Sequence, residues 1–247
     1  MIKTKAVIDI KLGQDVVIDE IIIDDPKPEE VVVKICSSGI CGSQLLNLQH
    51  PQIYRPQLLG HEAIGTVLQI GKEIKHLQEG DKVIVSWLPF DPTEETEYIK
   101  WCEIKWNSKI LKSIIFTWTE HTVVHNQFVS KIPEDLDKYS GSLIGCAVAT
   151  GAGSVNNIGN VKSKHSVAVF GAGGLGMFAI NAARIVNAHP IIAVDIDDRK
   201  LKLASEIGAS HIINSKQFDP VEKIHEITNG GADYVYDMVG IPSVMVQ

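Results

Sequence analysis

The first 150 or so residues carry short runs rich in Val and Ile: KAVIDI, DVVIDEIIID, EEVVVKICSSGI, HEAIGTVLQIG, DKVIVSW and TWTEHTVVHNQFVSKIP. Gly, Asp, Pro and Asn break the runs, which is the signature of strands joined by turns. This part is expected to be a β-barrel or sandwich. Near residue 150 the pattern changes. SLIGCAVATGAGSVNN reads as a helix of small apolar residues, and from Ser166 onward strand-like and helix-like stretches alternate. VAVF leads through a Gly-rich turn into LGMFAINAARIVNA, IIAVDI into RKLKLASEIG, and HIINS into a helix starting at Pro220, before a last strand in DYVYDMVG. Strands alternating with helices of about ten residues predict a parallel sheet with right-handed crossovers. The expected organisation is a β-rich domain over residues 1–150 followed by an incomplete doubly wound α/β domain over residues 151–247.

One stretch fits neither pattern. Residues 88–117 are charged and aromatic together, and Trp87, Trp101, Trp106 and Trp118 all fall in it or at its edges. It reads as a surface lobe packing its aromatics on the β domain, with a substrate-facing or subunit-facing flap as the alternative.

Composition narrows the function. With 247 residues, 45% hydrophobic and 21% charged, the chain is ordinary globular protein and neither disordered nor fibrous. The 23 Lys and Arg against 30 Asp and Glu leave a net charge of −7, which offers no footprint for nucleic acid or an anionic membrane and favours a small metabolite. The N-terminus lacks a signal-peptide core and no run of 18 apolar residues occurs, so a cytoplasmic protein is expected. Cys36, Cys41, Cys102 and Cys146 are too widely and irregularly spaced for a secreted disulfide framework. Metal binding or catalysis is the alternative to simple buried thiols.

Gly171, Ala172, Gly173, Gly174, Leu175 and Gly176 form GxGxxG between a strand and a helix, with Asp195 closing the next strand. Together these make the dinucleotide-binding fingerprint. Gly171 permits the tight turn, Gly173 lets backbone approach a pyrophosphate, and Gly176 lets the helix pack close to the sheet. The helix N-terminus supplies free N–H groups to phosphate. Asp195 is expected to accept from both adenosine ribose hydroxyls and to repel a 2′-phosphate, favouring NAD over NADP, although Arg199 argues the other way.

His61 in GHE would alone read as an ordinary hydrogen-bonded residue, and Cys41 and Cys146 as buried small hydrophobes. Taken together, two thiolates and an imidazole from separate segments near a dinucleotide site suit a tetrahedral zinc ion with one position open. Spacing leaves both readings standing.

The motifs GICGS, HEAIGTV, GDKV, GCAVATG and VFGAGGLG follow one another in an order that resembles the zinc-containing alcohol dehydrogenases of the medium-chain dehydrogenase/reductase family, from about residue 5 onward. The resemblance implies a GroES-like barrel followed by a doubly wound (Rossmann) sheet, incomplete here. It implies that Cys41, His61 and Cys146 bind one catalytic zinc and that Glu62 is the acidic residue beside it. It further implies that Ser43 starts a proton relay, Thr150 contacts nicotinamide and Lys200 contacts the adenosine ribose. The implied reaction is hydride transfer between NAD and an alcohol or carbonyl compound, and a full-length form is expected to be a homo-oligomer.

Three departures from the family stand out. Residues 88–117 keep only Cys102 where many relatives carry four cysteines, so no structural zinc is expected. Gln44 replaces the acidic residue that commonly follows the relay hydroxyl, and Leu46 replaces a relay histidine. The chain also ends after the fourth strand of the sheet, where a six-stranded fold is expected. Gly42, Leu45, Leu46 and Trp87 are candidates to line a substrate pocket. Two alternative readings are a truncated zinc- and nucleotide-binding product without turnover, and a zinc-free NADPH quinone or enoyl reductase.

Overall fold

The computed structural model describes residues 1–90 and 101–246, and these divide into two compact units, residues 1–146 and 147–247. Within the long aromatic stretch, residues 91–100 lie outside the described residues.

In the first unit, β1 (Ile2–Asp9), β2 (Val17–Ile23), β4 (Gln57–Leu58), β7 (Cys102–Trp106) and β8 (Lys109–Ser113) form a five-stranded sheet in the order β4-β1-β2-β7-β8. A second five-stranded sheet takes β3 (Glu30–Ser38), β5 (Ala63–Ile70), β6 (Lys82–Val85), β9 (His121–His125) and β10 (Val129–Lys131) in the order β10-β6-β5-β3-β9. All the pairings are antiparallel. Alternation drives this arrangement, because successive side chains of a strand point to opposite faces. In β7, for example, Cys102, Ile104 and Trp106 are buried while Glu103 and Lys105 face outward. The inward residues build two apolar clusters, one around Ile8, Ile21, Ile23, Ile104 and Phe116, the other around Val31, Val33, Val67, Val83 and Val124.

Residues 102–113, expected as part of a surface lobe packing its aromatics on the β domain, do pack Trp106 there, but as part of the sheet itself. They are a hairpin that extends the first sheet, turning at Asn107, whose φ of 52° suits a tight turn. Trp106 is buried, and its Nε1 donates to Asp19 Oδ2 at 2.7 Å, which together with the Glu20 N–H holds the Asp19 carboxyl below its usual range. Cys102 sits in the apolar cluster, where burial raises its thiol pKa far above the usual value.

Among the described residues, this unit also holds α1 (Gly42–Gln49), between β3 and β4, a 3-10 turn at Asn126–Phe128, and α2 (Lys138–Gly141), capped by Asp137 accepting from Tyr139 and Ser140 N–H. Helical turns then continue from Ile144 to Ile158, with π-helical segments on either side of α3 (Ala149–Gly153).

The second unit is a four-stranded sheet of β11 (Val167–Phe170), β12 (Ile191–Asp195), β13 (His211–Asn214) and β14 (Tyr234–Asp237), in the order β13-β12-β11-β14. Each pairing is parallel, and the order is that of the first four strands of a dinucleotide-binding sheet. The connections run through α4 (Gly174–Ile185), α5 (Asp198–Ile207) and α6 (Pro220–Thr228). A short α7 (Pro242–Met245) follows β14. Every residue of β11 and β12 is buried, so they read as continuous apolar runs, as strands covered on both faces must. Helix starts carry their own signals: Asp197 and Asp219 cap α5 and α6, and Pro220 opens α6, where its missing N–H costs nothing. Among the described residues, no helix is long and apolar enough to cross a membrane.

Candidate metal centre and nucleotide site

The metal cluster is built by three neighbouring strand ends. β3 pairs with β5 so that Ser38 lies opposite Ala63, and irregularities in that ladder at Val32–Val33 and at Ile35–Ser37 bend the end of β3. Beyond the last pair, Gly39 N–H donates to Glu62 O at 3.1 Å and Ser38 Oγ donates to the same carbonyl at 2.9 Å. Cys41, just past β3, is thereby set beside His61, just before β5. β6 flanks β5 on its other side, with Ala63 opposite Val85. There Ser86 Oγ donates to Gly145 O at 2.8 Å, which brings in Cys146. Gly145 is obligatory at this contact, since a Cβ on it would stand 2.4 Å from Val85 O.

Ligand atoms of Cys41, His61, Glu62 and Cys146 all lie within 4.8 Å of one another. The two sulfurs are 3.9 Å apart and the cysteines are free thiols, not a disulfide. Zn–S bonds of about 2.3 Å at a tetrahedral angle would place two sulfurs about 3.8 Å apart, so the pair fits that ion. His61 is half-buried, and desolvation lowers its pKa below the usual value, which favours the neutral imidazole a metal needs. Glu62 is 2% exposed and packs over Gly39, where a Cβ would come within 2.7 Å of its carboxylate. Two thiols, an imidazole and a carboxylate gathered in this way form a donor set that suits a zinc ion.

Around the cluster, Ser43 is exposed and its Oγ donates to Cys41 Sγ at 3.3 Å. Gln44 does something sequence reasoning did not foresee: its Oε1 accepts the N–H of Gly60, next to His61, at 2.8 Å. Gly60 has a φ of 89° and its Cβ position is blocked by Trp118 and Thr117, so this turn admits only glycine. Trp87 meets His61 edge-on with ring centroids 6.5 Å apart, whereas Leu45 and Leu46 are exposed on α1.

In the second unit the four glycines divide into two kinds. A Cβ on Gly176 would stand 1.8 Å from Gly171 O, and Gly171 has a φ of 92°, so the fold itself requires these two. Gly173 and Gly174 face open space within 4 Å, the room a pyrophosphate needs at a helix N-terminus. Leu175 follows in the first turn of α4, and Thr150 lies on α3.

Asp195 is buried at the end of β12. Its Oδ2 accepts Ala172 N–H at 2.8 Å, and its Oδ1 accepts Ile196 and Asp197 N–H at 2.7 and 3.0 Å. Lys200 Nζ is 3.8 Å from Oδ2. The carboxylate thus also braces the glycine turn, and Oδ2 keeps acceptor capacity for a ligand hydroxyl. Arg199 is occupied by Asp197, with Nη2 2.8 Å from Oδ2, and that guanidinium and the Arg199 N–H hold the Asp197 pKa down to about 2. A cavity of about 380 Å³ opens between Gly171, Gly173, Asp195 and Lys200. Ser215, Val239 and Ile241 also line it and escaped sequence reasoning. Their signal was position, since ligands of doubly wound sheets bind beyond the carboxyl ends of the strands.

Two family models match this chain: the alcohol dehydrogenase GroES-like domain over residues 27–134 and the zinc-binding dehydrogenase domain over residues 174–247. Their succession defines the class, a dehydrogenase with a GroES-like domain ahead of a nucleotide-binding one. Alcohol dehydrogenase-like 5 of Arabidopsis thaliana is 30% identical, the match covering 100% of this chain and 71% of the relative. The S-(hydroxymethyl)glutathione dehydrogenase of Synechocystis is 31% identical, with coverage of 98% and 73%. Among solved structures, an alcohol dehydrogenase zinc-binding domain protein from Burkholderia ambifaria superposes with a TM-score of 0.91 at 30% identity, over 99% of this chain and 72% of that one. The chain belongs to the zinc-type medium-chain alcohol dehydrogenase family, and so to the oxidoreductases.

Proposed function

We infer that this chain binds one catalytic zinc through Cys41, His61 and Cys146 and uses NAD to interconvert an alcohol and its aldehyde or ketone. The observation that carries the reading is the sulfur pair 3.9 Å apart with His61 and Glu62 in reach, in a chain that also holds the GxGxxG turn. When bound, zinc would supply a Lewis acid for the substrate oxygen and NAD the acceptor for hydride.

The remaining work falls to residues of the chain. Cys41 and Cys146, as thiolates, offset most of the ion's charge, and the carboxylate of Glu62 adjusts the field from its buried position. Ser43, exposed beside Cys41, would accept the alcohol proton at Oγ while its own hydroxyl proton turns from Cys41 Sγ and passes to solvent. Gly173 and Gly174 leave room for the pyrophosphate, and Asp195 and Lys200 receive the adenosine ribose. Thr150 contacts the nicotinamide. Asp195 puts a carboxylate at the cavity wall, and Arg199, the one residue that argues for a 2′-phosphate, is paired with Asp197, which supports NAD over NADP. The converged thiol and imidazole set weighs against the zinc-free NADPH reductase reading.

Metal analysis of freshly purified protein, with titrations of NADH and NADPH followed by an alcohol panel, tests the reading. About one zinc per chain, tighter NADH than NADPH binding and alcohol-dependent NADH formation are expected. Zinc-free protein, or equal preference for NADPH, would overturn it.

A further inference from the structure

Arg55 and Asp9 form an ion pair with both partners withdrawn from solvent, the side chains 8% and 2% exposed and Nε 2.7 Å from Oδ2, a charge contact in which the Nε–H is not directed at the carboxylate. None of the chemistry proposed above uses it. Asp9 ends β1, and its Oδ2 also accepts from Gln57 Nε2 at 2.8 Å. The rest of the guanidinium turns back on the chain. Nη2 donates to the carbonyls of Asn47 and Leu48 at 2.9 and 3.1 Å, and Nη1 to those of His50 and Ile53 at 3.2 and 2.9 Å.

Those acceptors are the end of α1 and the turn beyond it. The last carbonyls of a helix have no partner within the helix, and a cation is favoured at that end of its dipole. The other end of α1 starts at Cys41, its N-cap residue. Helix α1 is therefore an arm with a metal-ligand candidate at one end and Arg55 gripping the other. Arg55 itself stands in the segment that leads through Leu58 and Leu59, both buried, to Gly60 and His61. From the helix side, Gln44 closes the loop by accepting Gly60 N–H. Two ties thus set the distance between Cys41 and His61, one at each end of α1. A lysine could keep the charge beside Asp9, but it lacks the planar fork that donates to four carbonyls at once.

We propose that Arg55, anchored by Asp9, is a positioning residue for the cluster, seating α1 and Cys41 against the Gly60–His61 turn. The inference rests on reading Cys41, His61 and Cys146 as a metal site. The test uses the whole chain and cobalt(II) alone as probe, comparing wild type with Arg55→Lys and Arg55→Met. Cobalt affinity is measured by chelator competition and ligand geometry by the visible d–d absorption, with far-UV circular dichroism and urea unfolding in parallel. Asp81→Asn serves as control, because it breaks the Lys131–Asp81 pair elsewhere in the same unit.

Wild type is expected to bind cobalt with a tetrahedral thiolate spectrum. Both Arg55 variants should keep the native fold, bind roughly tenfold more weakly, as supporting residues of metal sites typically do, and show altered bands. The control should lose some stability without a spectral change. Arg55 variants with wild-type affinity and spectrum would overturn the proposal. So would variants whose cobalt loss only follows their unfolded fraction, or neither of which folds, since Arg55 would then serve the fold alone. Absence of cobalt binding by wild type would instead remove the metal-site reading, and this inference with it.

Discussion

The metal cluster of the first unit joins Cys41 to Cys146 across 105 positions, while the glycine turn, Asp195 and Lys200 of the second follow one another closely from the end of β11 to α5. The first depends on three antiparallel strand ends keeping register. A one-residue slip of β3 against β5 would turn every side chain of the strand to the other face and carry Cys41 away from His61. The core of the second needs only a turn, a helix N-terminus and the end of the next strand, set by neighbouring residues, and Ser215, Val239 and Ile241 complete the cavity wall from later in the chain. Donor type separates the sites too: the cluster gathers thiols, an imidazole and a carboxylate that suit a metal ion, and Asp195 accepts from backbone N–H groups of its own turn and of the glycine turn. The cluster should therefore be the more easily lost to distant changes, and the nucleotide site to changes within its own turn.

The largest effect expected is from Cys146→Ala. Zinc content should fall from about one per chain to near none, and alcohol-dependent NADH formation to background, while NADH affinity stays within about twofold. Joint loss of NADH binding would break the separation of the two sites. Next is Gly176→Ala, whose Cβ would meet Gly171 O at 1.8 Å. The second unit should lose about 3 kcal/mol in urea unfolding, the upper range for single substitutions, and NADH binding with it, while the zinc is retained.

A smaller change is expected from Asp195→Asn, which keeps the shape of the carboxylate and removes its charge. Losing a charge-assisted hydrogen bond of about 1.5 kcal/mol weakens NADH binding about tenfold, and fluorescence titration should show the gap between NADH and NADPH narrowing. Unchanged selectivity would assign the preference to other residues.

The smallest effect is on acid stability of the first unit. Lys131 and the Gln78 N–H hold the Asp81 pKa below its ordinary 3.8. A depressed carboxylate pKa contributes stability that is present above the unfolded value and lost as pH falls through the folded one. Urea midpoints should drop as pH is lowered below about 4, and Asp81→Asn should flatten that fall. In the second unit, Asp233, held low by Ser166 N–H and Oγ, should behave alike, so two matching slopes would sharpen the comparison.

The strands and crossovers from Val167 to Asp237 were legible because each element is contiguous and carries its own boundary signal: the glycine turn, the Asp197 and Asp219 caps, Pro220. Residues 102–113 were misread as a lobe although CEIKW alternates as a strand should, because tryptophan and charge obscured the period. Cys41, His61 and Cys146 stood out through the order of motifs; their spacing alone favoured ordinary buried thiols and a hydrogen-bonded histidine. Gln44 and Arg55 were illegible in their roles, since both act on backbone N–H and carbonyl groups that leave no mark in side-chain composition.

By itself, then, the sequence determined the alternation of strands, the β-α-β succession, the glycine turn with Asp195, and the family motifs. These rest on contacts between near neighbours, or on patterns that a linear chain displays directly. Only the tertiary structure decided that the ends of β3, β5 and β6 bring two sulfurs to 3.9 Å beside His61 and Glu62, and that Arg55 holds the helix between them. Such placement depends on strand register and on hydrogen bonds to backbone far away in the chain, and it takes form only when the sheets close over their apolar clusters.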